Sequence, residues 1–218
     1  MAVGFGSVGI VIGVPSCGRP TTVRWAINLA AMVYPLNTAV EFCAPEGIEV
    51  GEARDYVVQY ALERKARYVW FIDDDVLPPN WAAQRLISTL RASDAMACGG
   101  IYPAKRDIYE PLVFQDHGSG PYYDWKPNEV FEVTGFIGTG CLMIKTALFH
   151  VLEPPWFVSS DYPRQTDDNY FCQKVLKAGH VILADAGVLC GHFDWKTGKG
   201  YWAPGSHGGQ AVEEAVAR

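Results

Sequence analysis

The sequence predicts an α/β protein: a mostly parallel, Rossmann-like central sheet flanked by helices. Two observations carry that expectation. The stretch Tyr68-Val69-Trp70-Phe71-Ile72-Asp73-Asp74-Asp75-Val76-Leu77-Pro78-Pro79 runs from five apolar residues straight into three carboxylates and then two prolines. A short apolar run rich in β-branched and aromatic residues marks a strand buried on both faces, as inside a parallel sheet, and the prolines end it. The second observation is that apolar strand-like runs alternate with segments of helical period from Val8 to Tyr102. With 218 residues the chain is long enough for one sizeable domain and short for two. One domain over 1–195 is expected, with 196–218 a flexible C-terminal tail or lid.

In order, Val8 to Val14 reads as a strand stopped by Pro15, and Thr21 or Thr22 can cap a helix reaching about Met32. Asn37 to Ala44 is a second strand, and Gly51 to about Lys65 has helical spacing through Ala53, Val57, Val58, Ala61 and Leu62. The acidic strand is third, a helix follows over about 80–91, and Ala95 to Tyr102 is a fourth strand. Pro103 to Asn128 shows no assignable pattern, and a loop that long in a compact domain is usually functional. Glu129–Thr134 and Thr139–Ile144 read as strands around a glycine-rich turn, with a short helix after them to about Leu152. Thr166–Ala178 is a helix with Gly179 as its left-handed cap, and His180–Ala184 and Gly187–Phe193 are short strands.

Composition is that of a soluble enzyme, with 49% hydrophobic and 19% charged residues. The formal net charge of −6 disfavours an electrostatic grip on nucleic acid without a local basic patch, although it does not exclude a nucleic-acid acceptor. Six cysteines stand singly with no CxxC spacing, which predicts free thiols in a reducing, cytoplasmic setting. The first 18 residues carry no charged side chain, are interrupted by glycines and are too short to span a bilayer, so a first strand is expected rather than a membrane segment.

At the end of the third strand, alternation is expected to put Asp73 and Asp75 on one side of the chain and Asp74 on the other. Two like charges about 5 Å apart repel by about 3 kcal/mol at an effective dielectric of about 20. A divalent cation whose oxygen shell is completed by phosphate relieves that repulsion. The carboxyl edge of a central strand is also where open α/β sheets bind ligands.

This run resembles the Asp-x-Asp motif of glycosyltransferases with the GT-A fold, in a family 2-like pattern. Those enzymes hold a nucleotide-sugar diphosphate through Mn²⁺ or Mg²⁺. Other parts of the chain resemble the family in the same order. Pro15-Ser16-Cys17-Gly18-Arg19 is similar to the turn after the first strand whose backbone meets the base, with Cys17 and Gly18 departing from the usual residues. Ala53-Arg54-Asp55 is similar to an Ala-Arg-Asn that opens the second helix, which implies Arg54 at the base or phosphate. The resemblance thus implies donor contacts from Pro15, Ser16, Arg19, Arg54, Asp73 and Asp74. Gly138-Thr139-Gly140 is similar to a turn set against donor sugar and acceptor, and Trp202 in the tail is expected to add apolar cover there.

Thr166-Asp167-Asp168 is similar to the acidic pair that opens a late helix, with Asp-Asp where Glu-Asp is usual. The resemblance implies that Asp168 faces the acceptor hydroxyl as general base, with Asp167 beside it. A carboxylate at a helix N-terminus is expected to stay ionised. His192, after Val188-Leu189-Cys190-Gly191, matches a histidine that in several GT-A families completes the metal shell, implying a site of Asp73, Asp75 and His192. Imidazole beside two carboxylates suits Mn²⁺ better than Ca²⁺.

The expected function is metal-dependent transfer of a sugar from a UDP- or GDP-sugar to an acceptor hydroxyl. Three alternatives compete. A haloacid-dehalogenase-like phosphatase carries its Asp-x-Asp on the first strand, not the third. A nucleotidyltransferase of related fold carries a glycine- and lysine-rich loop after the first strand. A sugar-nucleotide-binding module without turnover does not need the acid pair.

Overall fold

The computed structural model describes residues 8–116, 118, 120–161, 164–204 and 206. In chain order its elements are β1 (Ile10–Gly13), α1 (Val23–Ala30), β2 (Val40–Cys43), α2 (Val50–Glu63), β3 (Tyr68–Ile72), β4 (Val76–Leu77), α3 (Ala82–Arg91) and β5 (Ala97–Ile101). Then come β6 (Val113–Phe114), β7 (Val130–Glu132), β8 (Phe136–Ile137), β9 (Cys141–Lys145) and a 3₁₀ turn (Thr146–His150). The last are β10 (Ser160–Asp161), β11 (Arg164–Gln165), α4 (Asp167–Lys177), β12 (Ile182–Leu189), β13 (Gly191–Phe193) and β14 (Gly200–Tyr201).

A seven-stranded sheet in the order β2-β1-β3-β9-β5-β12-β7 forms the centre. The β1–β2, β1–β3 and β5–β12 pairs are parallel, whereas β9 runs antiparallel to both β3 and β5, and β7 antiparallel to β12. Five strands therefore share one direction, as expected, but the strand over 139–144 is an antiparallel insertion at the heart of the sheet.

Alternation along β3 divides the core. Tyr68, Trp70 and Ile72 pack with Trp25, Leu86, Ile87 and Leu90 beneath α1 and α3. Val69 and Phe71 face the other way, with Val57, Val58 and Phe171 beneath α2 and α4. Thr22 is the α1 cap, its hydroxyl accepting from the Trp25 N–H at 3.1 Å, while the Thr21 hydroxyl donates to the Asp74 carbonyl at 3.0 Å. Gly179 ends α4 with φ +79°.

Three sequence expectations need correction. The two short strands over 180–193 are one eight-residue strand, β12, followed by β13. The interruption at Asp185 is a bulge, where pairing with β5 shifts from Asp185 opposite Gly100 to Leu189 opposite Ile101. Asp185 stays fully buried there because Arg85 Nε donates to both its oxygens at 2.8 and 2.9 Å, joined by the Thr89 hydroxyl at 3.1 Å. The unassigned stretch after Tyr102 contains β6, which pairs antiparallel with β8. The helix expected up to Leu152 is a single 3₁₀ turn.

Of the expected tail, β14 pairs with β13, Tyr201 opposite His192. The expectation for residues 205 and 207–218 lies outside the described residues.

Candidate active site

Strand geometry ends at Ile72, and the three acids occupy a turn closed by the Val76 N–H on the Asp73 carbonyl at 3.0 Å. Side-chain alternation is lost with it. Asp74 and Asp75 both meet Arg19, whereas Asp73 turns to Arg54. Asp73 and Asp75 thus take different arginine partners, although both carboxylates line one hollow and Asp75 repels Asp73.

Helix α1 fastens this turn from one flank. Trp25 Nε1 donates to the Asp73 carbonyl at 2.9 Å, and Asn28 Nδ2 to the Pro78 carbonyl at 2.9 Å. From the β1 turn, the Ser16 hydroxyl donates to Asp74 Oδ2 at 2.9 Å and Arg19 Nε to Asp74 Oδ1 at 3.2 Å. Ser16 also bridges to the loop after β2, whose Gly47 N–H donates to its carbonyl at 3.0 Å. These loops enclose a cavity of about 250 Å³ lined by Pro15, Ser16, Arg19, Ala53, the three acids and His192. Five of the six expected donor-binding residues, Pro15, Ser16, Arg19, Asp73 and Asp74, thus meet at one hollow.

Arg54 is placed differently. Only 3% exposed, its guanidinium donates from Nη2 to Asp73 Oδ1 at 2.8 Å and from Nε to Asp167 Oδ2 at 2.5 Å. It also lies over the Phe71 ring, 5.1 Å from the centroid. The arginine expected at a base or phosphate instead joins the two acidic motifs, since two carboxylates around one buried cation compensate its burial.

His192 reaches the site through the small sheet β14-β13-β4. It sits opposite Val76 in β4, and the next N–H, of Phe193, donates to the Asp75 carbonyl at 2.7 Å. Its Nδ1 is 2.7 Å from the Pro103 carbonyl, and its Nε2 is 3.4 Å from Asp75 Oδ1. A carbonyl only accepts, so Nδ1 carries a proton. Burial pushes the Asp75 carboxyl up, but His192 and Lys105 outweigh it and hold Asp75 well below the usual carboxylate range. Lys105 Nζ lies 2.5 Å from Asp75 Oδ2, while Arg106 pairs with Glu110. Among the described residues, no group of three His, Cys, Asp or Glu side chains is arranged to hold a metal ion.

The acid pair opens α4 as expected. Asp168 accepts from the Asn169 N–H at 2.7 Å and from the Thr166 hydroxyl. Burial, aided by neighbouring Asp167, nevertheless pushes the Asp168 carboxyl up, against those hydrogen bonds and Arg54. Desolvation thus opposes the helix N-terminus that was expected to favour the ionised form, and the net direction is upward.

Tyr102 and Trp25 were not anticipated. The buried Tyr102 hydroxyl accepts the Gly140 N–H at 2.9 Å, and its ring meets His192 edge-on at 5.2 Å. The signal available was its place at the carboxyl end of β5, the edge where such sheets bind ligands. The glycine turn is shaped by the same residue. A Cβ on Gly138 would sit 2.3 Å from the Tyr102 hydroxyl, and one on Gly140 2.9 Å from Asp73 Oδ2. Thr139 is buried between them. Trp202, expected on the sugar side, instead lines a separate cavity beyond the β13 strand.

No protein-family model matches the sequence, and no curated protein sequence matches it. Solved structures do. A197 from STIV is similar with a TM-score of 0.67 at 17% identity, covering 91% of this chain and 96% of that one. GalNAc-T7, solved with UDP, GalNAc and Mn²⁺, gives a TM-score of 0.57 at 11% identity over 86% of this chain. S. aureus TarS gives 0.50 at 11% identity over 81% of it. This chain has a GT-A-like fold. It spans only 44% of the GalNAc-T7 chain and 35% of the TarS chain, so the GT-A-like unit corresponds to part of each. Among the described residues, no helix is long and apolar enough to cross a membrane.

Proposed function

We propose that this GT-A-like chain is a metal-dependent glycosyltransferase, moving a sugar from a nucleotide-diphosphate donor to an acceptor hydroxyl. The observation that carries the reading is the orientation of His192. With Nδ1 donating to the Pro103 carbonyl, the ring turns Nε2 toward Asp75 Oδ1, 3.4 Å away. A ring nitrogen and a carboxylate oxygen facing each other are bridged either by a proton on the ring or by a cation. A ring nitrogen fixed by a backbone carbonyl, with the other beside a carboxylate, is the usual support of a metal-ligating histidine.

Asp75 and His192 are the residues that would hold a divalent cation, with Asp73 reaching it once released from Arg54. When bound there, Mn²⁺ or Mg²⁺ supplies charge to stabilise the departing diphosphate. Arg19 and Lys105, both already at Asp75, offer further positive charge to phosphate oxygens. Pro15, Ser16 and Ala53 line the same hollow and suit a nucleoside. In this reading Asp168 takes the proton from the acceptor hydroxyl, and its raised pKa brings it nearer a working pH than an exposed aspartate.

The test is thermal unfolding with UDP- and GDP-sugars, with and without Mn²⁺, on wild type and His192→Ala. A donor at a hundred times its dissociation constant adds about 2.7 kcal/mol. Stabilisation should need the metal and weaken in His192→Ala. A metal-independent shift, equal in both proteins, rules this site arrangement out.

A further inference from the structure

On the far side of the β13 strand lies a second, larger cavity of about 690 Å³. Trp81, Trp125 and Trp202 wall it, with Pro78, Pro127 and Pro204 between them. The volume falls within the about 300–1,000 Å³ usual for small-molecule sites. Trp202 backs directly on the candidate active site: its ring lies against Gly191, where a Cβ would be 2.4 Å from Cζ3. Gly191 immediately precedes His192, and successive residues of a strand point to opposite faces. The two cavities thus sit back to back across β13.

From this we infer that the tryptophan cavity is a carbohydrate-binding site, distinct from the site of transfer, taking a neutral oligosaccharide. Indole and proline walls are rigid and apolar, so they favour a ligand with flat apolar ring faces. They are not purely apolar, however. The side chains of Asn28 and Asn128 line it as well. Asn28 gives one amide hydrogen to the Pro78 carbonyl, and its side-chain oxygen remains as an acceptor. A side-chain amide both donates and accepts, so this lining suits a ligand that does the same around an apolar body. A lipid chain satisfies neither requirement. Among the described lining residues Arg24 alone is charged, and it lies over the Phe193 ring at 5.8 Å. A cation meets repulsion there, and no second basic residue completes an anion site. A sugar, with hydroxyls at its rim and C–H faces above and below, fits all of these conditions.

Binding here requires neither donor nor metal, so the inference stands or falls apart from the transfer reading. The experiment is a tryptophan-fluorescence titration of the full chain, without nucleotide or metal, using maltotriose, chitotriose and mannotriose, with n-octanol as apolar control. At least one trisaccharide should give a saturable change. Trp81→Ala, at a residue 38% exposed, should weaken it at least about tenfold, and Asp75→Asn should leave it unchanged. Oxidation of the wild type by N-bromosuccinimide should be slowed by the same sugar, which needs no variant. No saturable change with any trisaccharide, or binding to octanol alone, overturns the inference. So does sugar binding lost in Asp75→Asn and kept in Trp81→Ala, which places the ligand in the other cavity.

Discussion

Arg54 and Asp167 are 113 positions apart and joined by an Nε–Oδ2 hydrogen bond of 2.5 Å. Since the same guanidinium holds Asp73, helix α2 locks the acidic turn to the start of α4 through one buried cation. Replacing Arg54 by Met leaves two carboxylates facing each other without compensation. Breaking one side of such a buried pair costs about 3–5 kcal/mol. Urea unfolding of Arg54→Met should show a loss of that size. Arg54→Lys should recover only part of it, because an ammonium cannot span both acids with the planar fork of arginine.

Asp168→Asn should separate chemistry from binding. It keeps size and removes proton acceptance, so turnover should fall at least about 100-fold while metal-dependent donor binding is kept. Asp75→Asn should do the reverse and weaken donor binding. Single-turnover assays with donor titration distinguish the two.

The raised Asp168 pKa has a signed consequence. Activity needs the ionised form, so kcat/KM should climb with pH along a limb lying above the ordinary aspartate value of about 3.9. In stability the sign reverses. The folded state binds this proton more tightly than the unfolded chain, so the contribution is present below the unfolded pKa and lost as pH rises through the folded one. Comparing wild type with Asp168→Asn in pH-dependent unfolding isolates that contribution, and an identical pH dependence in both proteins would contradict it.

Tyr102 and Gly138 should be energetically coupled. Gly138→Ala forces a methyl group to within 2.3 Å of the Tyr102 hydroxyl, an overpacking expected to cost about 1–3 kcal/mol. Tyr102→Phe removes the acceptor of the Gly140 N–H, at about 1–3 kcal/mol. In the double variant the hydroxyl is no longer there to be struck. Its loss should fall short of the sum by at least about 0.5 kcal/mol in a double-mutant cycle.

What could be read from the chain beforehand follows from the range of the interactions concerned. Strand β3 and the acids after it were legible, because an apolar run stopped by charge and proline is a local signal. Thr22 and Gly179 were legible for the same reason, as caps act over a single turn. The direction of β9 was not, since alternation along a strand is the same whichever way its neighbours run. Asp185 split one strand into two on paper because its partner Arg85 is 100 positions away. Arg54 was singled out as a donor contact, and where its guanidinium rests depended on a carboxylate from α4. The partners that Asp73 and Asp75 take are likewise a tertiary matter, set by Arg54 and Arg19 from outside the run.

The antiparallel β9 also bears on how the protein is made. Both β3 and β5 are complete by residue 101, but neither pairs with the other, and the strand that fills the gap begins at Cys141. A growing chain therefore carries two wholly apolar strands with unpaired edges until the ribosome has moved well past them. Such edges are templates for pairing with other chains. Nascent chains that stall between residues 101 and 141 should accordingly depend on chaperones, and the acidic turn, held from α1, α2 and β13, becomes ordered only near the end of synthesis.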